Sequence, residues 1–145
     1  MKIPQLAVSI LAALVALASE GCQRQDAAPL SDFYIDLNTG NVTDHYGVYE
    51  MNVPDYTNLY ITGGYVYVLG VIIFKGLDQN YYALSQYHAT DGCTVEYQVF
   101  YDELVCPCDQ YHFNKSGEES FGSGTSYLTP FMTSLSNSIL HVYSP

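Results

Sequence analysis

From Phe33 the chain alternates apolar and polar positions. Phe33, Ile35 and Leu37 are separated by Tyr34, Asp36 and Asn38, the period of two that marks a half-buried strand. Asn38-Thr39-Gly40-Asn41 then supplies turn chemistry. Tyr60 to Tyr67 is rich in β-branched and aromatic residues and predicts a second strand, with Gly63-Gly64 as a bulge or a close backbone approach. Val71-Ile72-Ile73-Phe74 is a continuous apolar run, which suits a strand covered on both faces. A turn at Gly76 to Asn80 leads into Tyr81-Tyr82-Ala83-Leu84, and Thr94 to Tyr101 with Glu103-Leu104-Val105 predicts a hairpin around Tyr101-Asp102. Ser138 to Tyr143 predicts a closing strand, and Gly122-Ser123-Gly124 a turn. Beyond residue 22 no segment sustains a 3.6-residue apolar period. The pattern predicts an all-β fold, a small antiparallel sandwich or barrel.

The first residues follow a different rule. A single Lys2 precedes an apolar run from Leu6 to Ala18, too short to span a bilayer as a helix but suited to a secretory signal. Two processing sites compete. Ala16-Leu17-Ala18 fits cleavage before Ser19, whereas Gly21-Cys22 resembles a bacterial lipoprotein box with Cys22 as the lipidated residue. The second reading is favoured by the polar stretch that follows. It divides the chain into a signal at 1–21, a tether at 22–32 and a β domain at 33–145. The domain is then exported, in the periplasm or on an outer membrane, where disulfides are permitted.

Composition narrows the partners. Four Lys or Arg against fifteen Asp or Glu give a net charge of −11. Nucleic acid is excluded as a partner, because phosphate affinity comes mainly from basic side chains. Anionic headgroups repel such a surface as well, so contact with a membrane is expected through the lipid anchor only. Fifteen Tyr and no Trp leave two readings for the aromatics: packing on strand surfaces, or a Tyr-lined face, with Tyr87 and Tyr111 at its centre, that docks an envelope protein or another ligand. No phosphate loop and no nucleophile elbow is present, and no enzyme activity is expected.

Two segments carry the candidate chemistry. Ala83 to Cys93 reads A-L-S-Q-Y-H-A-T-D-G-C, and Leu104 to Phe113 reads L-V-C-P-C-D-Q-Y-H-F. They resemble the two ligand loops of the Rieske iron–sulfur domain, C-x-H-x-G-C and C-P-C-H-G-S-x-F. Gly63 to Phe74 is similar to strands of a Rieske-like lipoprotein group of Bacteroidetes-type bacteria, and Pro130-Phe131 resembles the family's third, proline-containing loop. The resemblance implies a small β domain whose tip carries a two-iron cluster, one iron held by Cys and the other by His. It also implies a disulfide between Cys93 and Cys108. The spacing alone leaves a Cys93–Cys106 pairing open.

The ligand positions themselves depart from the family. They fall on His88, Thr90, Cys106 and Asp109, so only Cys106 keeps its residue type. A threonine hydroxyl is a poor iron ligand, and these replacements imply a domain with no normal [2Fe-2S] cluster and no other cofactor, acting as a binding or structural module. Two alternatives stand beside it: a Rieske-type electron carrier, or a protein holding one zinc or iron ion on His88, Cys106 and Asp109. His112 is a further candidate ligand for such an ion.

Overall fold

The computed structural model describes residues 32–47, 51–90 and 92–145. The signal, the tether up to residue 31 and Cys22 lie outside them. Among the described residues, twelve strands and one short 3-10 helix follow in order. The first three strands are β1 (Asp32–Asp36), β2 (Asn41–Asp44) and β3 (Met51–Asn52). After the 3-10 helix Tyr56–Tyr60 come β4 (Tyr65–Val68), β5 (Val71–Lys75) and β6 (Tyr81–Ser85). The middle of the chain forms β7 (Glu96–Gln98), β8 (Glu103–Val105), β9 (His112–Phe113) and β10 (Glu119–Phe121). β11 (Pro130–Ser136) and β12 (Ile139–Tyr143) close it. All pairings are antiparallel. An eight-stranded sheet runs β3-β2-β1-β12-β11-β6-β5-β4, and a four-stranded sheet runs β10-β9-β8-β7.

The apolar run in β5 explains how the two sheets share a wall. Val71 and Ile73 enter a core with Phe33, Ile35, Val42, Leu140 and Val142, enclosed by the larger sheet. Ile72 and Phe74 enter a second core with Leu84, Tyr97, Leu104, Phe113 and Leu128, between β5–β6 and the smaller sheet. Strand alternation sends neighbouring side chains to opposite faces, so a strand with a core on each side must be apolar at every position. Full burial of each such side chain contributes about 1.5–3 kcal/mol. The alternation at Phe33, Ile35 and Leu37 is observed as predicted, with all three buried.

Several expectations are corrected. The strand predicted over Tyr60 to Tyr67 is confined to β4: Tyr60 ends the 3-10 helix, and Ile61 to Gly64 form a bend and turn. Leu59 is buried from that helix, its C=O accepts the Tyr81 hydroxyl, and the Tyr60 hydroxyl donates to the Leu37 C=O. These tertiary anchors override the β propensity of the segment. Gly63-Gly64 is a bulge: Gly63 N–H donates to the Lys75 C=O, while Lys75 N–H donates to the Gly64 C=O. A side chain at Gly64 would collide with the Asn58 C=O, 1.9 Å from the Cβ position. Pro130 and Phe131 open β11 rather than forming a loop. Among the described residues no helix is long and apolar enough to cross a membrane.

Candidate functional site at the loop tip

Two loops meet at one end of the smaller sheet. The first follows β6 and folds back on itself: His88 N–H donates to the Cys93 C=O at 2.8 Å, and Gly92 N–H to the His88 C=O at 2.7 Å. Gly92 has φ +65°, a conformation that an L side chain resists. The second loop joins β8 to β9. Cys106 N–H donates to the Tyr111 C=O, Gln110 N–H to the Cys106 C=O, and Tyr111 N–H to an Asp109 carboxylate oxygen. This closed turn points the Cys106 and Asp109 side chains at the first loop. The Cys93–Cys108 disulfide ties the two together, with Cα atoms 6.2 Å apart. It is the pairing the family resemblance implied, and Cys106 stays outside it as a buried thiol.

Three of the four positions that the resemblance marks as ligands converge. His88 is fully buried, its ring centroid 5.5 Å from that of Tyr111 and 5.3 Å from that of Phe113. Its Nδ1 lies 3.3 Å from an Asp109 carboxylate oxygen. One potential ligand atom each of His88, Cys106 and Asp109 falls within 4.8 Å of the others. Thr90 is exposed and, with His88, Ala89, Thr125, Ser126 and Tyr127, lines a cavity of about 230 Å³. His112 is elsewhere: it lies on β9, 3.1 Å from Glu103 and beside the rings of Tyr101 and Phe121. Tyr111 contacts the site as expected.

The electrostatics of the triad centre on the hydrogen bond between Cys106 and Asp109, with His88 acting on the carboxylate through its charge. Burial pushes the Cys106 thiol up to about 11, helped by its hydrogen bond to Asp109. Burial would also raise Asp109, but the Cys106 S–H, the Tyr111 N–H and the neighbouring His88 together hold its carboxyl below the usual range. At neutral pH the pair is therefore a protonated thiol donating to a carboxylate. A thiol so held is a weak nucleophile, because the thiolate is the reactive species.

Fit to a cofactor follows from the donor set. A two-iron cluster needs four good donors on two irons. His88, Cys106 and Asp109 supply three in one place, and Thr90 adds only an exposed, neutral hydroxyl. The set does not fit the cluster. It does fit a single ion in donor type, since imidazole, thiolate and carboxylate all ligate zinc or iron.

One residue that organises this end escaped the sequence reading. The Glu119 carboxylate accepts from the N–H groups of Gly124 (2.6 Å), Thr125 (3.2 Å) and Ser126 (2.8 Å), and so shapes the third loop that walls the Thr90 cavity. Its signal was an acidic residue just ahead of a Gly-Ser-Thr run.

An all-β domain with two loops tied by a disulfide at its tip is thus the class that fold and site define. No family model and no curated protein matches the chain. Among solved structures, the cyanobacterial plasma membrane Rieske protein PetC3 from Synechocystis PCC 6803 is similar with a TM-score of 0.46 and 23% identity, over 51% of this chain and 76% of that one.

Proposed function

We propose that this chain is an exported, lipid-anchored Rieske-like binding domain of a bacterial envelope, whose tip is braced by its own side chains in place of a two-iron cluster. The observation that carries this reading is the hydrogen bond from the buried Cys106 thiol to the Asp109 carboxylate, with His88 Nδ1 3.3 Å from the same carboxylate. The resemblance of the two loops supplies the Rieske-like part. Retention of the Cys93–Cys108 staple alongside loss of the ligand types supports a domain kept for its surface. The test is the absorption spectrum of the purified protein with iron and acid-labile sulfide analysis. A colourless folded domain without sulfide is expected; a brown protein with stoichiometric iron and sulfide overturns the reading in favour of electron transfer.

A second reading is favoured by one specific observation, the convergence of three different donors within 4.8 Å. A domain holding one zinc or iron ion there would contain one equivalent of metal without sulfide. His88→Ala and Asp109→Ala would each lose it. Binding would require the Cys106 proton to leave, which couples affinity to pH.

A further inference from the structure

The larger sheet has two ends, and they differ. At one end β3 is two residues long, too short to template another strand. At the other end β4 reads Tyr-Val-Tyr-Val, with no charge and no proline to blunt it. The hydrogen bond from Lys75 N–H to Gly64 C=O, with the register Val66↔Ile73 and Val68↔Val71, sets the phase of the pairing. In an antiparallel ladder bonded and non-bonded positions alternate. The Gly64 C=O, Val66 and Val68 therefore bond to β5, while Tyr65 and Tyr67 turn their backbone N–H and C=O groups to the opposite side.

No strand occupies that side among the described residues. A groove of about 560 Å³ does, with Val53, Pro54, Asp55 and Asn58 on one wall and Gly63 to Tyr67 on the other. The first wall directly follows β3, so the groove lies where the two ends of the curled sheet approach without closing. The Tyr67 hydroxyl donates to the Val95 C=O at 2.8 Å and fixes the outer end of β4. The edge is thus held in strand conformation beside an open slot of the volume typical of ligand sites.

We propose that this groove takes an extended, basic peptide segment of a partner protein, which adds as a strand to β4. Main-chain groups of Tyr65 and Tyr67 give the register, and the slot between Val53 and Val66 receives alternate side chains. The sign of the charge follows from the surface. The chain carries −11, Asp55 stands at the groove, and the cations among the described residues, Lys75 and Lys115, do not line it. Lys75 is committed to the Tyr60 C=O and the Tyr81 ring, and Lys115 to Asp78 and Asp102. A second copy pairing edge to edge would bring two such charges together over only four residues. The inference deepens the binding-module reading and is independent of what the loop tip holds.

The probe is a fluorescein-labelled hexapeptide, Lys-Val-Thr-Val-Thr-Lys, followed by fluorescence polarisation against the purified chain at low salt. Its acidic counterpart, Glu-Val-Thr-Val-Thr-Glu, is the charge control. Two N-methylated versions, one at the second and fourth residues and one at the third and fifth, block opposite edges of the peptide. The basic peptide is expected to bind about tenfold or more tightly than the acidic one, and one methylation pattern alone to cost a similar factor. Asn58→Trp fills the slot while leaving the backbone hydrogen bonds of Asn58 to Asp55 and Ile61 in place. It should lose the peptide with unchanged circular dichroism and melting. Equal effects of the two methylation patterns, full binding by Asn58→Trp, or no binding of the basic peptide overturns the proposal. So does self-association that Asn58→Trp abolishes, which would assign the edge to a second copy. A colourless protein that ignores the peptide removes the groove and leaves the account of the tip standing; a brown protein that binds it does the reverse.

Discussion

Two polar clusters sit at opposite ends of β8 and solve the same problem with different chemistry. Beside Glu103, the Lys115 ammonium lies 2.6 Å from Asp102 and 3.2 Å from Asp78, over the Tyr82 ring. The Tyr97 hydroxyl donates to Asp102 and the Tyr82 hydroxyl to Asp78. Beyond Val105, the loop tip joins His88, Cys106 and Asp109, while the lysines among the described residues, Lys75 and Lys115, are engaged elsewhere. The first cluster links a turn of the larger sheet to the smaller one by opposite charges. The second has no cation of that kind to use, and relies on a neutral thiol donor and a covalent bond. The difference shows where a chain so poor in basic residues spends them: one of its few lysines locks one end, and a disulfide locks the other.

The sharpest way to break this comparison is to remove each lock in turn. Cys93→Ser with Cys108→Ser opens a loop of sequence separation 15, and the chain-entropy model puts the loss near 3 kcal/mol. Lys115→Met removes a partly exposed ion-pair network and is expected to cost about 1 kcal/mol. Chemical denaturation of the two variants measures both. Equal losses would mean that the disulfide is ornamental to stability and the two ends are held alike.

The next largest effect is the pH at which each end gives way. Asp78 is held at about 2, chiefly by the Tyr82 hydroxyl, against 3.8 for an ordinary aspartate. A depressed carboxyl stabilises the fold above its unfolded pKa, and that contribution is lost as pH falls from about 4 towards 2. Cys106 has the opposite sign. Its thiol is raised from 9.0 to about 11, so its contribution is complete below pH 9 and is lost as pH rises through 11. Comparing wild type with Cys106→Ala isolates that alkaline limb from the tyrosines, since Tyr97 and Tyr67 are raised as well, first by burial. The wild-type stability should fall more steeply than the variant's between pH 9 and 11. Parallel curves would remove the thiol–carboxylate bond from the account of the tip.

Much of this was legible in the chain and some was not, for reasons that are local. Val71 to Phe74 announced a doubly covered strand because every side chain in it meets a core. The loops were legible through the resemblance carried by Cys93, Pro107 and Cys108, which implied the pairing that the spacing alone left open. The 3-10 helix at Tyr56–Tyr60 was not legible, because Tyr60 and Leu59 are anchored by partners more than twenty residues away. Thr90 was placed with His88 by motif position, and both line one small cavity, but Thr90 is exposed where His88 is fully buried. Strand β11 was missed because the resemblance assigned Pro130-Phe131 to a loop, although the first position of a strand tolerates proline.

The smallest effect concerns the third loop, and it sharpens the contrast by separating order from stability. Glu119 accepts from three consecutive amides and from the Ser123 hydroxyl. Those bonds hold its carboxyl below the usual range against the opposing effect of burial. The loop it grips packs few apolar side chains: Gly124, Thr125 and Tyr127 are exposed. Such a segment opens locally without unfolding the core. Glu119→Gln keeps the shape but replaces a charged acceptor with a neutral one, and halves the acceptor oxygens. Amide exchange at Gly124, Thr125 and Ser126 should accelerate several-fold, while the melting temperature stays that of the wild type. If exchange at Cys93 and Cys106 accelerates equally, the third loop and the disulfide-tied tip form one cooperative unit, and Glu119 braces both.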